Sequence, residues 1–247
     1  MQKADLIVFK NPEDLANQFA GRLIEWIETN SEKTYHLAIS GGKTPDLLFS
    51  VLAEKQANSE LWQKVHFWWV DERMVAPDHP ESNFGIAQHL LFSQINIPEQ
   101  NIHRIKGEND PESEALSYSK QIRESLPHES NWPVFDLILL GMGEDGHTAS
   151  IFPDQMKLLN STQICEVAVH PQSGQKRVTL TGKVINNARK VCFLITGANK
   201  AYHLSEIFSV TDQATILPTA HIHPESGDLL WVIDEPASKL IEDLDQG

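Results

Sequence analysis

Short, nearly unbroken apolar runs alternate along this chain with stretches whose apolar residues recur every three or four positions. Residues 6–9, 36–39, 65–70, 135–140, 191–195 and 229–233 are runs of the first kind and predict strands buried on both faces. Between them the helical spacing is clear. Asn11 is placed to cap a helix with Pro12 at its first position, and Leu15, Phe19, Leu23 and Ile27 fall on one face. Thr44 and Pro45 open a second helix with Leu48, Val51 and Leu52 on its stripe. Ser82 or Asn83 caps a third that runs to about Phe92. Asp110-Pro111-Glu112 opens a fourth carrying Leu116 and Ile122, and a fifth from about Lys200 carries Leu204 and Phe208. Residues 164–169 and 177–181 predict an edge pair or a local β-extension.

Alternating buried strands and helices predict a doubly wound α/β fold, a mostly parallel sheet with helices on both faces, here as a single catalytic domain over residues 1–247. In such a sheet a ligand binds beyond the carboxyl ends of the strands. The polar punctuation falls there: Ser40-Gly41-Gly42, Asp71-Glu72-Arg73, the run from Gly141 to His147, and Thr196 to Lys200. Four loops are therefore expected to converge on one edge.

Charge narrows the partners. A formal net charge of −14 argues against general affinity for nucleic acid or an anionic membrane. It also means that cations serving an anionic substrate must be placed specifically. The two cysteines, Cys165 and Cys192, each lie in an apolar run and read as small buried thiols of a reducing compartment, without disulfide or metal spacing. Residues 1–10 hold an apolar run of only four, too short for a signal peptide, and no stretch is long enough to span a membrane. A cytoplasmic protein with no obligate protein partner is expected.

Gly141-Met-Gly143-Glu-Asp-Gly146 fits the G-x-G-x-x-G pattern, with Glu166 twenty residues further on. A dinucleotide site is nevertheless not expected. Pro153 interrupts the chain where a long helix should run, and Glu166 lies inside a strand-like pattern rather than at a strand's end. His147 follows the glycines directly. Of eleven histidines it alone stands at the end of a buried central strand beside a glycine turn, where an imidazole can exchange a proton near neutral pH. His221-Ile-His223 has the spacing of a metal pair on a strand, but no third ligand has matching context, so neither metal nor cofactor is expected. Ser40-Gly41-Gly42-Lys43-Thr44 turns from strand into helix and offers backbone N–H groups and a helix dipole to a phosphate. It lacks the spacing of a P-loop, and the chain has no G-x-S-x-G elbow. Lys200 stands at another helix N-terminus, where a cation disfavours the helix unless an anion is near. Arg177 by itself reads as a surface arginine.

Ser40-Gly-Gly-Lys-Thr-Pro45, Val70-Asp-Glu-Arg73, Ser82-Asn83, Gly141-Met-Gly-Glu-Asp-Gly-His-Thr-Ala-Ser150, Phe152-Pro153, Arg177-Val-Thr-Leu-Thr181 and Thr196-Gly-Ala-Asn-Lys200 together resemble the glucosamine-6-phosphate isomerase/6-phosphogluconolactonase family, on its lactonase side. The resemblance covers nearly the whole chain. It implies the fold shared with glucosamine-6-phosphate deaminase and, distantly, ribose-5-phosphate isomerase. It also implies a small sugar-phosphate substrate and the second step of the oxidative pentose phosphate pathway, hydrolysis of 6-phospho-D-glucono-1,5-lactone. With the residue reading it suggests a phosphate on Ser40, Gly41, Gly42 and Thr44, clamped by Arg177 and Lys200, and His147 as general base. Arg73 or nearby backbone N–H groups would receive the oxyanion, and Asp71 would orient a sugar hydroxyl or Arg73. Two alternatives stand beside this. An aminosugar-phosphate deaminase would need a carboxylate base, and relatives of that kind follow Gly-His with an Asn-Glu-Pro-like stretch where this chain has Ser150-Ile-Phe152-Pro153. A non-catalytic sugar-phosphate sensor would not need His147.

Overall fold

A computed structural model describes residues 5–31, 34–129 and 131–241; the first four and last six residues of the expected domain lie outside the described residues. In chain order the strands are β1 (Asp5–Phe9), β2 (Tyr35–Ile39), β3 (Val65–Trp69), β4 (Asp71–Arg73), β5 (Ile102–His103), β6 (His128–Glu129), β7 (Trp132–Pro133), β8 (Leu137–Leu140), β9 (Cys165–Val169), β10 (Lys176–Leu180), β11 (Lys190–Ile195) and β12 (Asp228–Asp234). The α-helices are α1 (Pro12–Thr29), α2 (Lys43–Gln56), α3 (Asn83–Ala87), α4 (Pro111–Ser125), α5 (Gly182–Ile185), α6 (Ala201–Phe208) and α7 (Glu235–Ser238).

Seven strands pair in parallel in the order β1-β12-β11-β8-β2-β3-β5. Every residue of β2 and of β8 is buried, so both faces of the sheet centre are covered, as the unbroken apolar runs required. The chain winds one way from β2 to β3 and the other way from β8 to β11, and β2 and β8 are neighbours. Their carboxyl ends therefore flank the crevice where a doubly wound sheet binds its ligand. Ser40 and Gly141 are the first residues past those ends, and the Ser40 hydroxyl donates to the Leu139 carbonyl at 2.7 Å, joining the two strands at the crevice floor.

The helices form largely as their sequences dictate. The Asn11 side chain accepts from the Asp14 N–H, and Leu15, Phe19, Leu23 and Ile27 are all buried. Ser82 caps α3 through the Gly85 N–H, and that helix widens into a π-turn at Gln88–Phe92. One expectation fails. Leu116 is 69% exposed, because α4 lies on β9 and β10 with Ala115, Tyr118 and Ile122 inward. The buried Glu114 shares that inner face, accepting from the Lys106 N–H and the Asn109 amide, so the apolar spacing there misplaced the stripe.

The predicted edge pair is part of a second sheet in the order β4-β10-β9, antiparallel throughout. Val70 is the hinge between sheets: its N–H donates to Ile39 in the main sheet, and its carbonyl accepts from Leu180 in the small one. One run of chain thus leaves the core and carries Asp71 and Arg73 onto a separate wall above the crevice. Glu166 sits within β9, bonded to Ser161, and the segment after Gly146 forms a 3-10 turn at Pro153–Asn160 instead of a long helix. The glycine pattern at 141–146 thus lacks the context of a dinucleotide fingerprint.

Candidate active site

The glycine turn holds an imidazole in one orientation. The Gly143 N–H donates to the His147 carbonyl at 2.8 Å, closing the turn, and a Cβ on Gly143 would lie 2.1 Å from His147 Nδ1. Only glycine admits the ring there. Gly146 takes φ +77°, a left-handed conformation that L side chains avoid. Asp145 Oδ1 lies 2.6 Å from His147 Nδ1 and also accepts the His147 backbone N–H at 3.1 Å. Burial pushes the Asp145 carboxyl up, but its hydrogen bonds with His147 and the charge on that ring outweigh burial and hold it at about 2. A carboxylate in that state only accepts, so Nδ1 carries the hydrogen, which in the neutral ring leaves the lone pair on Nε2. Phe152 packs against the ring with centroids 4.8 Å apart.

His147 opens onto a cavity of about 130 Å³ that is also lined by Ser40, Gly41, Asp71, Arg73, Asn83 and Arg177. The small sheet builds the opposite wall. Arg73 and Arg177 are directly paired across β4 and β10, so two guanidiniums leave the same face side by side. Like charges opposite one another destabilise a sheet. The pKa of Arg177 is pushed down, first by burial and then by Arg73, against the opposing pull of Asp71. Ser150, fully buried, donates to Asp71 Oδ2 at 2.6 Å and accepts from the Arg177 guanidinium at 3.4 Å; that guanidinium lies 4.0 Å from the Asp71 carboxylate. Asp71 is therefore tied to Ser150 and Arg177, not to Arg73, whose NH1 instead donates to the Glu81 carbonyl. Arg73 Nε, Arg177 Nε and Asn83 Oδ1 are buried without a hydrogen-bond partner, three unmet polar atoms on the residues of one cavity.

The predicted phosphate residues divide. Ser40, Gly41 and Arg177 line the cavity, whereas Gly42, Thr44 and Lys200 do not. Gly42 is the N-cap of α2 and gives it no side-chain cap. The Thr44 hydroxyl lies 2.8 Å from that of Thr196, which ties this helix start to the loop bearing Lys200. Lys200 stands at the start of α6; burial lowers its pKa while Glu144 and Asp145 pull it up, which places it beside the glycine turn. His221 ends a 3-10 turn and His223 follows it outside any strand, with His221 Nε2 2.8 Å from the Thr215 carbonyl. Among the described residues no group of three or more His, Cys, Asp or Glu side chains could hold a metal ion.

Sequence reading gave no role to Asp145, Ser150 or Asn83. Asp145 was within reach, since a carboxylate two residues before a histidine in a tight turn can fold back on it. Ser150 had no local signal, because its partner Asp71 is 79 positions away. Asn83 was visible only as a possible cap; its amide in fact donates to the Asp71 carbonyl while Ser82 caps the helix.

A family described as glucosamine-6-phosphate isomerases/6-phosphogluconolactonase matches residues 10–231. The chain is 40% identical over 236 residues to a 6-phosphogluconolactonase of Aggregatibacter actinomycetemcomitans, covering 95% of this chain and 99% of that one. It is 37% identical over 210 residues to a human 6-phosphogluconolactonase, 84% of this chain and 81% of the human one. In three dimensions it superposes on a 6-phosphogluconolactonase from Trypanosoma cruzi with a TM-score of 0.86 at 28% identity, over 96% of each chain. A monomeric glucosamine-6-phosphate deaminase superposes at 0.76 with 19% identity, over 96% of this chain and 99% of that one, which is a likeness of fold alone. Similarity of this extent, spanning every loop that borders the crevice, makes this chain a member of the glucosamine-6-phosphate isomerase/6-phosphogluconolactonase family.

Proposed function

We propose that the protein hydrolyses 6-phospho-D-glucono-1,5-lactone to 6-phospho-D-gluconate with His147 as the general base. The reaction is the one for which its relatives of 40% and 37% identity are named. The observation that carries the mechanism is an imidazole held by Asp145 at 2.6 Å and lining a cavity walled by two adjacent guanidiniums. A water beside Nε2 attacks the lactone C1 while the imidazole takes its proton. The carbonyl oxygen becomes an anion, and Arg73 or nearby backbone N–H groups stabilise that charge as it develops. The tetrahedral intermediate collapses by breaking the bond from C1 to the ring oxygen, and the imidazolium returns the proton to that oxygen. Asp145 keeps the ring in the required tautomer and stabilises its charged form. A lactone is an activated ester, so a base, oxyanion stabilisation and positioning suffice.

The phosphate, in this reading, rests on the Ser40–Thr44 turn with Arg177 and Lys200 around it. Support comes from the uncapped start of α2 and from the Thr44–Thr196 contact that brings the Lys200 loop alongside. Asp71 positions Arg177 through Ser150. The cytoplasm is the setting we infer from two free, buried cysteines, and no described helix is long and apolar enough to cross a membrane.

A deaminase remains the reading to exclude, because the cavity does have a carboxylate on its wall. That group is Asp71, brought from another strand and not from the residues after Gly146-His147. One of its oxygens is taken by Ser150 and faces Arg177, so it is poorly disposed to abstract a proton from carbon. His147→Asn should lower kcat on the phosphorylated lactone by roughly 10²–10⁴-fold with little change in KM. Wild-type protein should release no ammonia from glucosamine 6-phosphate. Near-normal turnover by the variant removes His147 from the mechanism, and ammonia release comparable to lactone hydrolysis moves the protein to the deaminase side of its family.

A further inference from the structure

The peptide linking Gly146 to His147 is held at both ends, and one end is held from far along the chain. Its carbonyl, on Gly146, accepts the Thr219 hydroxyl at 2.8 Å and the Thr219 backbone N–H at 3.2 Å. Its N–H, on His147, donates to Asp145 Oδ1 at 3.1 Å, the same oxygen that lies 2.6 Å from imidazole Nδ1. Thr219 is fully buried in the 3-10 turn Pro218–His221. Two residues earlier, Leu217 packs so closely on Gly146 that a Cβ there would lie 2.6 Å from its Cδ2.

We propose that Thr219 is a positioning residue for His147. Gly146 has more torsional freedom than any other residue type, so the plane of the peptide after it must be fixed from outside. Two donors from Thr219 occupy both lone pairs of the carbonyl and set that plane. With the plane set, the N–H stays aimed at Asp145, and the Asp145 oxygen stays where Nδ1 can reach it. Donors on the carbonyl also polarise the amide and strengthen its N–H as a donor at the other end. Loss of the hydroxyl leaves one bond where there were two, lets the plane tilt, and loosens Asp145 from the imidazole. The effect reaches Nε2 although Thr219 touches neither the ring nor the cavity. This role depends on His147 being the general base, and the test below separates the two.

Thr219→Val removes the hydroxyl and keeps the shape; Thr219→Ala removes it without risk of crowding; Thr219→Ser restores it. In folded Val or Ala variants kcat on 6-phosphogluconolactone should fall about tenfold with KM within about twofold of wild type. The Ser variant should regain most of the loss. Long-range ¹H–¹⁵N spectra of His147 should show a single Nδ1–H tautomer in wild type and the Ser variant, and a mixture in the Val and Ala variants. Combined with His147→Asn, the Thr219→Ala change should cost nothing further, because its whole effect passes through the imidazole. Unchanged kcat and an unchanged tautomer in a folded variant lacking the hydroxyl would overturn the proposal, as would an equal additional loss in the His147→Asn background. If His147→Asn alone retains full turnover, the base assignment fails instead, whatever the tautomer spectra show of Thr219.

Discussion

Replacing Asp145 by Asn keeps the size of the side chain and removes the charge that the imidazolium needs while it holds the water's proton. A hydrogen bond to a charged group contributes about 1.5–3 kcal/mol net. The 2.6 Å contact argues for the upper end, but the Asp145 side chain is 45% exposed, so solvent screens the pair and the lower half applies. A loss of about 1.5–2 kcal/mol of transition-state stabilisation lowers kcat about 10–30-fold. The assay is proton release from freshly prepared lactone, read with a pH indicator, with spontaneous hydrolysis subtracted. Glu at the same position restores the charge and should restore part of the rate. A kcat within about twofold of wild type in the folded Asn variant would refute the coupling of Asp145 to catalysis.

Arg177→Ala should depress kcat/KM on the phosphorylated lactone by about 2–4 kcal/mol, the scale for removing one partner of a desolvated charge pair, and should barely affect the poor reaction with unphosphorylated gluconolactone. Equal losses on both substrates in a folded variant would move Arg177 from phosphate binding to the carbonyl, alongside Arg73. Away from the site, the His36 and His103 rings are pushed down to about 4, first by burial and then by His66, with Asp136 opposing and Arg189 adding to the effect at His36. Unfolded histidine titrates near 6.5, so between about pH 6.5 and 4 the unfolded chain binds more protons and stability falls as pH falls, by about 3 kcal/mol for His36 alone. The melting temperature should drop across that window and drop less in His36→Asn, which keeps an acceptor for the Trp68 indole; equal slopes in the two proteins would show that these buried rings do not govern the transition.

By itself the sequence determined the layers of this protein and the places where they end. Unbroken apolar runs such as 191–195 predict strands with both faces covered, and the glycine and acidic residues after such runs predict loops at the carboxyl edge, because period and composition are local properties of the chain. For the same reason His147 stood out: a glycine turn at the end of a buried strand is written in consecutive residues. The tertiary structure decided which loops face one another. The cross-strand pairing of Arg73 with Arg177 depends on Val70 passing the chain from one sheet to the other. Asp71 meets Ser150 and Arg177, and Thr219 meets Gly146, across separations of 79, 106 and 73 residues that leave no periodic trace. Of Lys200 and Arg177, equivalent as isolated cations in the sequence, only Arg177 came to line the cavity. The inward face of α4 was decided the same way, since β9 and β10 chose Tyr118 and Glu114 over Leu116. Hydrophobic pattern places most of the buried residues, but the direction of a charged side chain depends on partners that only the folded chain brings near.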